Sequence, residues 1–182
     1  MIKLKPFRSY NEYDVVNLFA LKGITGDEGN FVKLSSSGYV SDDVWRNISL
    51  TSEANVVSQR RVLKPEVTLC TSGDDKGDVL GVLLDNVRDT NFLGVNLLWD
   101  PVRKKEMNAV VSGEAVRFVK RGMFLVSGIE GTVKAGSGIA VSNSNAGGWR
   151  SYNPDVETSV KQVGKILGDP DGDGFALVQI DC

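Results

Sequence analysis

The sequence contains no histidine, which removes the side chain that most often acts as a general base near neutral pH. Its serines therefore have no histidine partner, and the SxxK spacing that would give a lysine this role is also missing. Adjacent carboxylates such as Asp42 and Asp43 would point to opposite faces of a strand, which spoils them as an acid/base pair. We therefore expect a protein that is not an enzyme and that uses no cofactor.

Cysteine is scarce as well, because the chain has 2 Cys, which lie far apart at Cys70 and Cys182. A reducing compartment would keep both as thiols, and a disulfide between them is the open alternative. No apolar run is long enough to span a bilayer, and the basic N-terminus is not followed by the apolar stretch of a secretion signal. We expect the chain to fold in a cytoplasm, without a membrane partner.

A surplus of positive charge is also lacking, because Lys and Arg number 21 against 23 Asp and Glu, a net charge of −2. Proteins that bind nucleic acid usually carry a basic surplus, so we expect no nucleic-acid partner. Short basic clusters do occur, and we interpret them as solvated faces or protein contacts: Arg60-Arg61, Arg103-Lys104-Lys105 and Lys120-Arg121.

Glycine is abundant, with 20 residues against 5 prolines, and it cuts residues 109–181 into short runs typical of β-strands. This pattern predicts a mainly β fold, a compact β-barrel or β-sandwich with an extended N-terminal arm and at most one or two short helices. Residues 1–13 are predicted to form the arm, because Pro6 interrupts regular pairing there. Residues 14–182 are predicted to form a single β-rich domain.

Local patterns predict individual elements of this domain. Asp100 before Pro101 is a favoured helix start, and we expect one or two turns of helix there. Residues 35–38 and 74–78 are predicted turns, residues 23–29 a loop, and residues 142–148 a flexible surface loop. Strands are predicted at residues 15–21, 30–34, 44–50, 66–71 and 79–87.

The run Asp169-Pro170-Asp171-Gly172-Asp173-Gly174 has two interpretations. Carboxylates at alternate positions resemble the start of a calcium loop, but the twelfth position is Ile180 rather than a glutamate. Asp, Pro and Gly equally suit a tight turn between strands. We predict a turn without a structural metal, with a weak cation site at the three aspartates as the alternative, and we expect positive φ at Gly172 and Gly174.

Aromatic side chains are the remaining candidates for binding. The tryptophans and tyrosines are interpreted as a sugar-binding platform or, with preference, as core or interface anchors: Trp45, Trp99, Trp149, Tyr10, Tyr39 and Tyr152. Among them we expect Trp149 and Tyr152, in a glycine-rich loop, to be exposed at a contact.

Several segments resemble the head decoration, or cement, proteins of tailed bacteriophages, in particular those of the cyanobacterial-phage type. The resemblance lies in YDVVNLFAL, VVSQRRVLKPEVTL, GVLLDNVRDTN, AVVSGEAVRFVKRGMFLVSGIEGTVKAG and VGKILGDPDGDGFALVQID. It implies a β-rich virion structural protein that binds the outer surface of an assembled capsid and stabilises the expanded shell. The implied partners are the major capsid protein and further copies of the chain, with a trimer favoured, on a virion assembled from protein folded in the host cytoplasm.

Two functions therefore stay open at this point. The first is capsid decoration, for which we name Lys5, Phe7, Tyr10, Trp149 and Tyr152 as candidate capsid or subunit contacts. The second is a host-surface or carbohydrate-binding module of a virion fibre. Exposed aromatic side chains clustered on one face would favour the fibre module, whereas an apolar base would favour the decoration protein.

Overall fold

The computed structural model describes residues 3–6, 14–21, 24–41, 63–74, 76–153, 155, 157 and 162–182. The predicted strand at residues 44–50 lies outside these residues, as do Trp45 and the candidate contacts Phe7 and Tyr10.

The described residues form thirteen strands and one short helix. In chain order the elements are β1 (Lys3–Pro6), β2 (Val15–Leu21), β3 (Phe31–Ser41), β4 (Leu63–Leu69), β5 (Val79–Leu83), β6 (Asn86–Val87), α1 (Pro101–Glu106), β7 (Ala109–Val110), β8 (Ala115–Val119), β9 (Arg121–Ser127), β10 (Gly138–Val141), β11 (Trp149–Tyr152), β12 (Gly164–Gly168) and β13 (Ala176–Asp181).

The strands build a closed barrel and an open sheet. The barrel closes in the order β2-β4-β3-β5-β8, and the six-stranded sheet has the order β1-β9-β13-β12-β10-β11. The pairing is antiparallel except between β2 and β4 and within the small pair β6-β7. Only Lys120 separates β8 from β9, so the chain passes from the barrel to the sheet within one residue. The prediction of a mainly β fold with curled, barrel-like sheets and at most one or two short helices is confirmed.

One cluster of buried apolar residues joins the two sheets, and a second lies among the barrel strands and β6. Along β13, Ala176, Val178 and Ile180 are buried while the residues between them are not, which is the period of two expected of a strand with one covered face. The largest cluster of buried residues joins this row to Phe31 and Val82 of the barrel.

Three local predictions are corrected by the structure. Residues 35–38 are not a turn, because β3 continues through them and absorbs the Ser-Gly stretch as an irregularity of register between Leu34 and Tyr39. The predicted strand at residues 79–87 is divided in two, because Asp85 leaves the ladder to bind Arg117. The loop at residues 142–148 is tied to the barrel, since Gly147 donates to Cys70 and accepts from Phe31.

The beginning of the predicted arm belongs to the sheet. Residues Lys3 to Pro6 pair antiparallel with β9, and the Leu4 side chain is 7% exposed within the core. The prediction that Pro6 prevents regular pairing is therefore wrong. Proline is tolerated here because β1 is an edge strand, in which one side need not donate hydrogen bonds to a neighbour. The boundary at residue 13 stays a prediction, because residues 7–13 lie outside the described part.

The helix begins as its sequence predicts. The Asp100 side chain accepts a hydrogen bond from the Arg103 N–H at 3.2 Å, and Pro101 takes the first position, where its missing N–H costs nothing. The helix ends at Glu106, after which Asn108 adopts a φ of 46°.

Candidate interaction surface

An exposed apolar surface lies between β6 and the end of α1. Within residues 92–102, five large apolar side chains are exposed, from 76% for Phe92 to 48% for Val95. Single exposed apolar residues are normal, but five within eleven positions are an unusual concentration and make this segment a candidate interaction surface. We call this set the apolar loop: Phe92, Leu93, Val95, Trp99 and Val102.

Asparagine side chains fix the shape of the apolar loop. Asn91 Oδ1 accepts hydrogen bonds from the backbone N–H groups of Leu93, at 2.8 Å, and Val95, at 3.0 Å. Asn96 Oδ1 accepts from the N–H of Leu98 at 2.8 Å. Asparagine is favoured at such turns because its short side chain bonds to the backbone a few residues ahead. The loop backbone is therefore held by its own sequence.

A buried leucine anchors the apolar loop to the body of the protein. Leu97 is fully buried and packs with Ala109 and Val111, which belong to or follow β7. Asp89 adds two polar connections, because its carbonyl accepts from the Leu97 N–H and its carboxylate accepts from the Ser112 N–H, both at 2.9 Å. The buried Leu97 lies between the exposed Val95 and Trp99, so the exposed side chains belong to a segment that is anchored in the core.

The charges next to the apolar loop are largely paired within the chain. Arg103 contacts Glu106 at 2.8 Å on the helix, and Lys104 contacts Glu114 at 2.5 Å. Two members of the basic cluster predicted from the sequence are thus engaged with acids rather than presented to a polyanion. The rim of the loop carries both signs of charge in balance.

A network of polar side chains joins the barrel to the segment beneath the loop. Arg117 donates from Nε and Nη2 to Asp85 Oδ1, at 3.0 and 2.5 Å, and the Asp85 carboxylate is nearly fully buried. Asn108 donates to the Leu84 carbonyl at 2.8 Å and accepts from Arg117 at 3.1 Å. Burial raises the pKa of the Glu28 carboxyl above its usual value, against the opposing hydrogen bond from Asn108.

An open cavity of about 460 Å³ lies beside this network, between β1, the loop before β3 and β6. Asp27 and Arg88 form an ion pair at its wall, and Arg88 also donates to the Gly26 carbonyl at 3.3 Å. Two of the charged groups of this wall, those of Asp27 and Arg88, therefore bind each other. The lining residues are Lys3, Leu4, Asp27, Glu28, Asn86, Arg88 and Met107.

The structure does not bring the predicted contact residues together. Lys5 lies on β1 with its ammonium 4.1 Å from the centre of the Phe175 ring. Trp149 and Tyr152 lie on β11, at the opposite edge of the same sheet, and are 0% and 4% exposed. The prediction that these two are exposed is wrong, because Trp149 stacks on Phe31 at 4.5 Å between ring centres.

The Asp169–Gly174 run connects β12 to β13 as the predicted turn. Asp171 Oδ1 accepts from the N–H groups of Asp173, at 3.0 Å, and Phe175, at 2.8 Å. Among the described residues, no three acidic or cysteine side chains are grouped so as to hold a metal ion. The absence of a bound cation stays a prediction. The expected positive φ is found at Gly174, at 81°, but not at Gly172, so that part of the prediction is wrong.

The two cysteines are free thiols, with Cys70 buried and Cys182 half-buried. Burial raises the pKa of both thiols, that of Cys182 to about 12. Both groups are therefore protonated at neutral pH and are poor nucleophiles.

The sequence reasoning did not identify the apolar loop, although Trp99 was considered as an interface anchor. The available signal was a run of large apolar residues, NFLGVNLLW, that also contains the asparagines and glycine of a turn. Large apolar side chains in a turn are often exposed, because a turn has no regular apolar face that packs on the core.

Comparisons of the chain with protein-family models, with curated proteins and with solved structures find no match in any of the three. No helix in the described part of the chain has the length and apolar character needed to cross a membrane.

Proposed function

We propose that this chain is a non-enzymatic virion structural protein that binds the outer surface of an assembled bacteriophage capsid and stabilises the expanded shell. The observation that carries the proposal is the β1 edge of the six-stranded sheet, with which no second described strand pairs, because such an edge can accept a strand from a neighbouring subunit. The exposed apolar loop supports the proposal, since such a surface is typical of a protein that works within an assembly. Three of its five side chains are aliphatic, namely Leu93, Val95 and Val102. This composition suits an apolar base better than the aromatic platform of a carbohydrate-binding fibre module.

In this proposal the shell contact lies at the β1 edge of the six-stranded sheet. The opposite edge, at β11, is covered by Glu130, which donates to the Trp149 carbonyl and accepts from the Ser151 N–H. Within the described residues, no strand pairs with the outer side of β1. An extended segment of the capsid protein can add to such an edge through main-chain hydrogen bonds. Lys3 and Lys5 favour a segment that carries acidic residues.

Stabilisation of the shell requires that the protein bind the expanded lattice more tightly than the unexpanded one, and does not require very tight binding at each site. A protein that binds only the expanded lattice stabilises that lattice by mass action, to an extent set by its concentration relative to its dissociation constant. Each contact needs only the standard buried area of about 1,600 Å² to be specific. Repetition over the shell, with an oligomer that engages several capsid subunits, adds avidity. The proposed trimer on the outer capsid surface fits this requirement.

Binding of the purified protein to isolated shells tests the proposal. We expect co-sedimentation with expanded shells that lack the protein and no co-sedimentation with unexpanded shells. The variant Lys3→Glu/Lys5→Glu should bind expanded shells at least tenfold more weakly at low salt, because it reverses the charge at the β1 edge. Lys165→Glu, on an exposed position of β12 in the same sheet, is the matched control and should bind like the wild type. Equal binding to both shell forms, or to neither, contradicts the proposed function.

A further inference from the structure

We propose that the apolar loop is the contact between copies of this chain, in which the loops of neighbouring copies pack against one another around a symmetry axis. This inference concerns the free protein and does not depend on capsid binding.

The exposed area permits such a contact if nearly all of it is buried. At the observed exposures, the five residues present on the order of 600 Å² per chain, since a large aromatic side chain offers about 150–250 Å² and an aliphatic one less. Two such loops together offer about 1,200 Å², the lower bound for a specific interface. A homotypic contact meets this bound when the loops pack closely and the polar groups at their rim also contribute, since each copy presents the same surface.

The charges at the rim allow the loop to face its own copy. Arg103 is paired with Glu106 and Lys104 with Glu114. The charge of the exposed Lys105 is offset by Asp89 and Asp100 at the two ends of the loop, so neither sign dominates. A surface with an excess of one sign would repel its copy and would require a partner of the opposite charge. The balance of charge therefore favours a second copy over a nucleic acid or an anionic membrane surface.

The rigidity of the loop lowers the entropic cost of association. Asn91 and Asn96 hold the backbone, and Leu97 fixes the segment to the core. Phe92 and Trp99 then present large aromatic side chains that need little further ordering, and such residues commonly dominate the energy of an interface.

The mass of the protein in solution, measured by light scattering over a concentration series, is the first test. We expect the wild type to form a dimer or trimer and Phe92→Asp/Trp99→Asp to be monomeric, with at least a tenfold higher dissociation constant. Because Phe92 and Trp99 are 76% and 61% exposed, the variant should keep the circular dichroism spectrum of the wild type. Leu18→Asp is the matched control, since Leu18 is 66% exposed on the barrel, and it should keep the wild-type mass.

Disulfide trapping tests the homotypic geometry. Oxidation should link copies of Leu93→Cys into covalent dimers, whereas Asn143→Cys, exposed in a loop next to β10, should not form them. The native Cys70 is buried, and the half-buried Cys182 is replaced by Ser in every variant, so that the introduced thiol is the accessible one.

Three outcomes overturn this inference. The first is a wild type that stays monomeric over the whole series, and the second is binding of the apolar loop to lipid vesicles instead of to its own copy. The third is a monomer whose loop variant loses only shell binding, which would assign the loop to the capsid and leave the proposed function standing. Self-association without shell binding would contradict the proposed function and leave this inference standing.

Discussion

At the scale of single residues, Asp74 has several hydrogen-bond and ion-pair partners that no sequence pattern predicts. Its carboxylate contacts Lys33 Nζ at 2.7 Å and accepts from the Thr71 N–H at 2.6 Å. Burial alone would raise the pKa of Asp74, but the hydrogen bonds and charge of Lys33, together with the Thr71 donors, hold it below the usual value of 3.8. The ionised form is therefore the one that stabilises the fold.

We predict that Asp74→Asn lowers the free energy of unfolding by roughly 1–2 kcal/mol at pH 7. A lowered pKa in the folded state gives stability that is present above the ordinary value of 3.8 and is lost as the pH falls through the folded-state pKa. The difference between wild type and variant should therefore shrink below about pH 4 in urea unfolding curves. Asp173→Asn, an exposed charge removal, is the control. A difference that is unchanged at low pH would contradict the role given to the Asp74 carboxylate.

The structural role of a single residue can be predicted from the sequence when it depends on near neighbours in the chain. Asp100 and Pro101 were predictable because a helix cap is decided by neighbours three positions away. Trp149 was not, because its burial depends on Phe31, which lies on a distant strand of the barrel. The exposed side chains of the apolar loop were missed for a related reason, since exposure is a property of the whole packed molecule.

At the scale of secondary-structure elements, close strand pairing depends on particular glycines. A Cβ atom on Gly164 of β12 would lie 2.5 Å from the Gln179 carbonyl oxygen of β13, a backbone atom that cannot yield without shifting the strand. Gly172, in the turn between these strands, has nothing within 4 Å and does not have a positive φ. Within one hairpin, Gly172 therefore has room for a side chain and Gly164 does not.

We predict that Gly164→Ala lowers the free energy of unfolding by about 1–3 kcal/mol, because it overpacks the β12–β13 ladder. Gly172→Ala should change it by less than about 0.5 kcal/mol or stabilise slightly, since it only restricts the unfolded chain. Chemical denaturation of the two variants beside the wild type is the measurement. Equal effects at both positions would show that the close approach at Gly164 does not control the pairing.

Elements with a uniform local pattern were predicted well from the sequence. The boundaries of β2 agree with the prediction, because its short run of β-branched, aromatic and aliphatic residues ends at a glycine-containing loop. The division between β5 and β6 was not predictable, because Asp85 leaves the ladder only in response to Arg117 on β8. Likewise β1 joins the sheet because β9 offers it an edge, a long-range effect that outweighs the local influence of Pro6.

At the scale of the whole molecule, the sequence predicted the mainly β class but not the order of the strands. Glycine spacing and β-branched runs determine that strands form, whereas barrel closure depends on pairing between segments far apart in the chain. In the described part of the chain, the body presents an unpaired β1 edge and the apolar loop as distinct surfaces. In our account the first contacts the shell and the second contacts further copies.

The release of DNA from heated virions tests the central claim, stabilisation of the expanded shell, most directly. Particles stripped of this protein should release their DNA at a lower temperature than intact particles, because the expanded lattice loses the free energy of binding. Adding back the wild-type protein should restore the release temperature, while Lys3→Glu/Lys5→Glu should restore it only in part. A release temperature that is unchanged when the protein is removed would contradict the account.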